Sequence, residues 1–519
     1  MPASRDTSTP SPLSWSSGLW VVSGLVLAGV WRLLLGSWYA GWEESDYGNL
    51  AMIQGVLAGG FRHYDMNHMP GYYAASAMVH AVVSDAVIAG RTVALLGGLV
   101  AWVGGVWLAW RVGGRLAAAI AGLLLITQPE FALYAASTLR EPMYAAGLVG
   151  FVAGLILRRP GLAALAGVVA FSVRFDAVAI LPAIATIHAI RMRSGWRAWL
   201  GALLPVFVAV ILWSVYCRYD HGTYQFWSHS VGVNLETGLG AESEGPVAWA
   251  MAGLWVSVRL VAWLLPWRVG WGVWLAAVGM LVAVRWRAPH PIRTLAAGAL
   301  IATSFWGAVG FVGQHSPEHN LYWKWMMPLV PLVVPLGAVG LSRAHSLLSV
   351  RFGPWIAGIA LAAVLGQAFL SHGRETHRQL ALSEELYAPQ VALGRWFEDE
   401  VPESTTVLVD NIPACWINRQ PNERQMVSWF DVPVKGGGEP LADWLTTQGV
   451  PWVIWFREDW TQAPAVAPEL ASGGTVRVGQ LSLIERARED AYGWILYEVT
   501  GEGIPEHMGA PPPGMSRSD

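Results

Sequence analysis

Charge is what this sequence is short of. Only 13% of its 519 residues are Asp, Glu, Lys or Arg, while 54% are hydrophobic; soluble chains carry about 25% charged residues. A soluble globular protein of this size is therefore excluded. Lysine is nearly missing, with Lys324 and Lys435 as its two occurrences, and the net charge of −3 gives no case for a nucleic-acid partner. Cysteine is limited to Cys217 and Cys415. Far apart in sequence, they could form one disulfide on an oxidising side, and the preferred reading is two inert thiols. A phosphate-cradling glycine loop is not expected either, because "VKGGGEP" lacks the strand-before, helix-after context that such a loop needs.

What is abundant is apolar length. Spanning-type segments are expected at 18–38, 89–110, 116–136, 143–157, 161–174, 176–190, 198–216, 265–284, 293–312, 325–342 and 353–370. Many of the 31 Trp sit at the ends of these runs, where an interfacial aromatic belt would place them. Arginines gather at alternate connections: Arg111 and Arg115, Arg158 and Arg159, Arg191, Arg193 and Arg197, Arg285 and Arg287, Arg343 and Arg351. Carboxylates gather at the others, including Glu43, Glu44, Asp46, Asp65, Glu141, Asp220, Glu236, Glu242, Glu244 and Glu318. By the positive-inside rule the arginine side is cytoplasmic, so the N-terminus lies inside and the C-terminal portion outside.

The expected fold class is a membrane all-α bundle of about eleven transmembrane helices, with a small C-terminal α/β domain outside. Its divisions are a cytoplasmic tail (1–17), a transmembrane domain (18–370), an extracytoplasmic α/β domain (371–505) and a flexible tail (506–519). In the last of the folded parts "TTVLVD" and "PWVIWF" read as buried strands, and "APQVALGRWFEDE" and "LADWLTTQGV" as helices. The first outer loop, 39–88, holds two apolar stretches with polar edges, 50–61 and 71–86, expected to lie along the interface; 247–264 is a third such segment.

That loop carries the chain's most specific pattern. It opens with adjacent acids and an aromatic, "EESDY", and runs on to "HMPGYY" (68–73). An arginine-led span, "GRTVALLGGLVAW", follows, and then a second outer loop with an acid before proline, "TLREPMY". In this order the motifs resemble the GT-C superfamily of polytopic glycosyltransferases, in particular the protein O-mannosyltransferase and aminoarabinose lipid A transferase branch. "SVRFDAVAILP", "LLPWRVGW" and "NLYWKWMMPLVPL" add to the likeness, which covers roughly 18–370. Members commonly read Asp-Glu-Ala-x-Tyr and then His- or Lys-Pro-Pro-x-Tyr-Tyr. Here the first acid is Glu43, the first proline is replaced by Met69, and Asn67 stands where some relatives have a metal-binding Glu.

The resemblance implies an inverting transfer of a sugar from a polyprenyl-phosphate donor to a lipid, glycan or protein acceptor, on the outer face of a plasma (inner) membrane. It favours Glu43 as the catalytic acid, with Glu44 beside it and Glu141 in support. Such a reaction needs a base for the acceptor proton and cations for the departing phosphate. His68, Arg62, Arg174 and Lys324 are the candidate phosphate partners. Asp46 reads as a helix cap, with Asp65 and Tyr72 as possible support. No cofactor is required by this chemistry, and a divalent metal stays open, with His221 and His229 as weak ligand candidates. The rival readings are a transporter or flippase of lipid-linked sugars, or a ligase or polymerase of them. Transporters commonly show midplane charges and internal repeats, whereas the polar groups here gather on one face.

Overall fold

The computed structural model describes residues 15–38, part of 49–57, 69–192, 196–221, 246–284, 288–313 and 326–401. In the C-terminal portion it describes 405–409, 426–427, 429, 432, 438–456, 466–489 and 494–504. It is mostly helical, and local sequence explains where the helices start. Helix α1 is Trp15–Trp38, α2 is Gly71–Val83 and α3 is Ala86–Thr127, which kinks at Gly114. The Asp85 carboxylate accepts from the Ile88 amide at 2.8 Å, capping α3. Gln128 does the same for the short α4 (Pro129–Tyr134), accepting from Phe131 at 2.6 Å. Prolines occupy the first turns of α4, α5 (Glu141–Ile156) and α6 (Pro160–Val173), where no intrahelical donor is lost. Helices α7 (Ala177–Met192) and α8 (Trp196–His221) follow.

The expected span 265–284 departs from the sequence reading. Helix α9 (Pro246–Val258) continues through a π-helical turn, Arg259–Leu264, into α10 (Leu265–Val269), so that Ala250–Val269 is itself long and apolar enough to cross a membrane. Gly270, at φ 93°, then breaks the chain before α11 (Trp271–Ala283). Only glycine adopts that conformation cheaply, so the apolar run cannot continue as one helix. Helix α12 is His290–Gly313, α13 is Val330–Phe352 and α14 is Pro354–Glu400. Of the interfacial segments expected in the first outer loop, α2 forms a helix; of 50–61, residues 50, 52–53 and 55–57 are described and are helical.

Helix α13 is the centre of the bundle, with every residue from Val330 to Ser342 buried. Helices α5 and α6 approach closely because Gly147 and Gly154 face Ala170 and Ala163, where a methyl group would meet backbone at 2.7 Å and 2.5 Å. The outward faces stay apolar: Leu33, Ile211, Val282, Val350 and Trp355 are all more than half exposed. In water such a surface would aggregate; against lipid tails it is matched. Arg32, the one charge within α1, is buried, donates to the Ala28 carbonyl at 3.0 Å and stacks over Phe131 at 5.1 Å.

Past the bundle lies a six-stranded sheet in the order β2-β1-β3-β6-β5-β4. Its strands are β1 (Val407–Leu408), β2 (Met426–Val427), β3 (Trp452–Phe456), β4 (Thr475–Val478), β5 (Leu481–Glu489) and β6 (Trp494–Thr500). Strand β1 pairs in parallel with β2 and β3, and the other pairings are antiparallel. Helix α15 (Gly438–Gln448) supplies Leu441 and Leu445 to an apolar cluster of the sheet's own, with Trp429, Trp455 and Tyr497. Strands over 407–408 and 452–456 and helix over 441–448 agree with the sequence reading.

Candidate active site

The ends of α5, α6 and α7 bring four charged residues together where the chain leaves one helix and enters the next. Glu141 is the first residue of α5, Arg174 follows α6, and Asp176 precedes α7. Arg174 donates through Nη1 to Glu141 Oε1 at 2.9 Å and through Nε to Asp176 Oδ1 at 3.1 Å. Its guanidinium lies 5.6 Å from the centre of the Tyr144 ring. Arg140 approaches the same Glu141 oxygen at 4.0 Å and donates to the Tyr73 hydroxyl at 3.4 Å; that hydroxyl donates to Asn49 Oδ1 at 2.5 Å. Two arginines and two carboxylates therefore balance. Glu141 is the most enclosed of them, with a side chain 2% exposed, and its Oε2 has no hydrogen-bond partner among the described residues.

Helix α2 closes the other side. The Tyr72 hydroxyl donates to the Gly90 carbonyl at 3.0 Å, locking α2 to α3, and Ser76 bonds back to Tyr72. Gly71 sits so tightly against Ser172 that any Cβ would overlap the serine. Beside this contact opens an apolar groove of about 450 Å³, walled by Met69, Pro70, Phe171, Leu212, Trp213 and Tyr216. Met69, which replaces a proline of the family pattern, is one of its walls, and Ser172 joins the groove to the chain turn that presents Arg174. A charged network thus abuts an apolar slot.

A second buried network lies at the junction of α4, α10 and α14. Arg268 Nη1 is 2.7 Å from Glu130 Oε1 and also pairs with Glu375, with the arginine 2% and Glu130 0% exposed. Gln128 bonds Glu130, while Arg378 and Gln379 each donate to Glu375 Oε1 at 2.9 Å. Thr127 and His372 Nδ1 meet at 3.0 Å, and Ser371 donates to the Trp267 carbonyl at 3.1 Å.

Of the residues singled out from the sequence, Glu141, Arg174 and Tyr72 are described, and the structure brings them to one end of the bundle. Arg174 is engaged by two carboxylates there, and Tyr72 supports α2. Glu43, Glu44, Asp46, Arg62, Asp65, His68, His229 and Lys324 lie outside the described residues, as does Cys415. Of His221 only its place at the end of α8 is described; Cys217 is buried. Among the described residues no group of three His, Cys, Asp or Glu is placed to hold a metal ion. Sequence reading did not assign roles to Arg140, Asp176 or Tyr73, although each sits inside a motif it quoted. It also missed the Glu130–Arg268–Glu375 network. The signal for that was available: carboxylates and an arginine interrupting apolar runs are costly in a membrane and mark paired groups.

No family model matches the sequence, and no curated protein matches it. Solved structures do. The structure of ArnT from Cupriavidus metallidurans bound to undecaprenyl phosphate superposes with a TM-score of 0.62 at 13% identity, covering 95% of this chain and 100% of that one. The apo form of the same protein gives 0.59 at 12% identity, with the same coverage. The chain is a polytopic membrane protein with the ArnT fold, as the resemblance read from its outer-loop motifs implied.

Proposed function

We propose that this protein is a membrane glycosyltransferase that moves a sugar from a polyprenyl-phosphate-linked donor to a lipid, glycan or protein acceptor on the outer face of the plasma (inner) membrane. The observation that carries this reading is the Glu141–Arg174–Arg140 network set against an apolar groove of about 450 Å³, in a chain with the ArnT fold. One of the ArnT structures holds undecaprenyl phosphate, a ligand with the same division into a long apolar chain and a charged phosphate. A groove walled by Met69, Phe171, Leu212 and Trp213 suits isoprenoid chain, and the charged network at its edge suits the polar end.

In this reading the acceptor hydroxyl or amine attacks the anomeric carbon from the face opposite the phosphate. The bond from that carbon to the phosphate oxygen breaks, the electron pair leaves with polyprenyl phosphate, and the acceptor proton passes to a carboxylate. The configuration inverts. Glu43, with Glu44 beside it, is the base carried over from the family pattern. Glu141 has one oxygen on Arg174, so its role is to fix that guanidinium and to present Oε2 to the site. Arg62, His68 and Lys324 supply the cations for the leaving phosphate, since Arg174 is already matched by Glu141 and Asp176. His68 directly precedes Met69, a wall of the groove.

The test is an assay of purified protein with a set of polyprenyl-phosphate sugars and, separately, the matching nucleotide sugars. Transfer from a lipid-linked donor supports the reading. Transfer from nucleotide sugars alone, or movement of intact lipid-linked sugar across a proteoliposome without transfer, overturns it.

A further inference from the structure

Helix α2 has two faces, and each belongs to a different part of the site. At about 100° per residue, positions 70, 71 and 74 share one side of the helix, and 72, 73 and 76 fall on the opposite one. The first set, with Met69, walls the apolar groove. The second set, Tyr72, Tyr73 and Ser76, is buried. Pro70, at the N-cap, makes no side-chain capping bond, so contacts with neighbouring elements fix where this turn sits. Tyr72 ends on backbone, at the Gly90 carbonyl. Tyr73 instead stands in the middle of a side-chain series. Its hydroxyl accepts from Arg140 Nη1 at 3.4 Å and donates to Asn49 Oδ1 at 2.5 Å. Its ring meets Tyr72 edge-on, with centroids 5.4 Å apart.

Both ends of that series are held. Asn49 is 4% exposed and belongs to a helical stretch whose Leu50 and Ile53 are buried in the bundle core. Arg140 is the N-cap residue of α5, directly before Glu141, with a side chain 19% exposed. A guanidinium is planar and carries its N–H groups in a fixed fork. Where Tyr73 holds Nη1, the direction of Nε is therefore set, and Nε lies 4.0 Å from Glu141 Oε1. At that separation charge attraction, rather than a hydrogen bond, aligns the two. Arg174 takes the same oxygen at 2.9 Å, and Oε2 has no hydrogen-bond partner among the described residues. We propose that Tyr73, with Asn49 behind it, and Arg140 are positioning residues for Glu141, which set its carboxylate from the turn of α2 that walls the groove. A polyprenyl chain seated against Met69, Pro70 and Ala74 thereby brings its polar end into register with Oε2. What the carboxylate then does rests on the transferase reading; the linkage itself does not. It joins the last tyrosine of "HMPGYY" to the arginine of "TLREPMY", two motifs far apart in sequence.

The experiment uses the purified full-length chain in detergent, beside a pair variant, Tyr73→Phe with Asn49→Leu. Replacing both partners of a buried hydrogen bond by apolar groups of similar shape is close to neutral for stability, so the thermal midpoint should hold. In transfer from a polyprenyl-phosphate sugar, KM should stay within about twofold while kcat falls about ten- to hundredfold, the scale of a small misplacement of a reacting group. Arg140→Gln should do the same, and Arg140→Lys should not restore kcat, because an ammonium has the charge without the fork. A folded pair variant with normal kcat, or full activity in Arg140→Lys, overturns the proposal. If the pair variant aggregates, Tyr73→Phe alone carries the comparison. A second readout needs no chemistry: hydrogen–deuterium exchange with undecaprenyl phosphate added. Protection is expected at 69–76 and at 138–145 in the unaltered chain, and only at 69–76 in the pair variant. Equal protection of 138–145 in both chains, or none in either, overturns the linkage. The expected exchange pattern in a chain that transfers no sugar would uphold the linkage and remove the transferase reading.

Discussion

Glu141 divides its two oxygens between two tasks. Oε1 takes the Arg174 guanidinium at 2.9 Å, while Oε2 is buried with no hydrogen-bond partner among the described residues. Removing one member of such a pair leaves the other charge buried, which costs roughly 3–5 kcal/mol; removing both avoids that. Glu141→Gln and Arg174→Gln are therefore each expected to lower the thermal midpoint strongly, and the double variant to lose clearly less than the sum of the two. Additive losses in thermal unfolding would show that the pair is not a unit. The proposed base behaves differently. Glu43→Gln keeps size and hydrogen bonding but cannot accept the acceptor's proton, so turnover in a lipid-donor assay falls about 10²–10⁴-fold while expression is kept. Glu44→Gln is the companion variant, and Asp46→Asn is expected to be mild because Asn also caps helices. Near-normal turnover in both glutamate variants would move the base to Glu141 or elsewhere. At this scale the sequence was legible wherever a motif named its own residues: "TLREPMY" contained Glu141, and "SVRFDAV" contained Arg174. It could not say that this acid and this arginine meet, since residues 141 and 174 approach only because α5 and α6 pack antiparallel through Gly147 and Gly154.

Elements are joined at the far end of α4 by the Arg268 network. Arg268 sits between Glu130 of α4 and Glu375 of α14, directly before the Gly270 break. Arg268→Leu alone is expected to destabilise by about 3–5 kcal/mol, because the fully buried Glu130 loses its cation while Glu375 keeps Arg378. Glu130→Leu, Arg268→Met and Glu375→Leu together are expected to be near neutral, read as the midpoint of heat-induced aggregation on size exclusion. A triple variant as unstable as the single one would deny that the charges are matched to one another. In the sheet, the Tyr497 hydroxyl donates to the Leu470 carbonyl. Burial first, and then the Glu485 carboxylate, push this phenol above its ordinary value. A raised folded value means that the stabilisation is complete below the unfolded value of about 10 and is lost as pH climbs beyond it. Alkaline unfolding, followed by loss of β-sheet circular dichroism above about pH 10, should become shallower in Tyr497→Phe. An unchanged profile would place the alkaline weakness elsewhere.

The molecule as a whole is divided by charge. Arg158 and Arg293 stand towards one end of the helices, and the ion-paired carboxylate Glu141 at the other. By the positive-inside rule residues 371–519 are expected outside, together with the proposed active site. An alkaline phosphatase fused after Ser371 is expected to be active, and a cytoplasmic reporter at the same junction silent. The reverse result would put the donor site on the nucleotide-sugar side of the membrane and remove the case for a lipid-linked donor.

Sequence alone determined the solvent and the class of fold. Apolar length of about 20 residues, repeated, admits little besides membrane helices, because backbone groups must bond within each span. Outer-loop motifs were enough to imply the ArnT-like architecture. Tertiary structure decided what periodicity could not. Gly270 takes φ 93° and ends a run that hydropathy would have continued into one helix. Arg268 and the Tyr73–Arg140 contact acquire meaning only when α4, α10 and α14, or α2 and α5, are laid side by side. Composition fixes how much charge a membrane chain carries; packing fixes which charges meet, as Glu141 and Arg174 do.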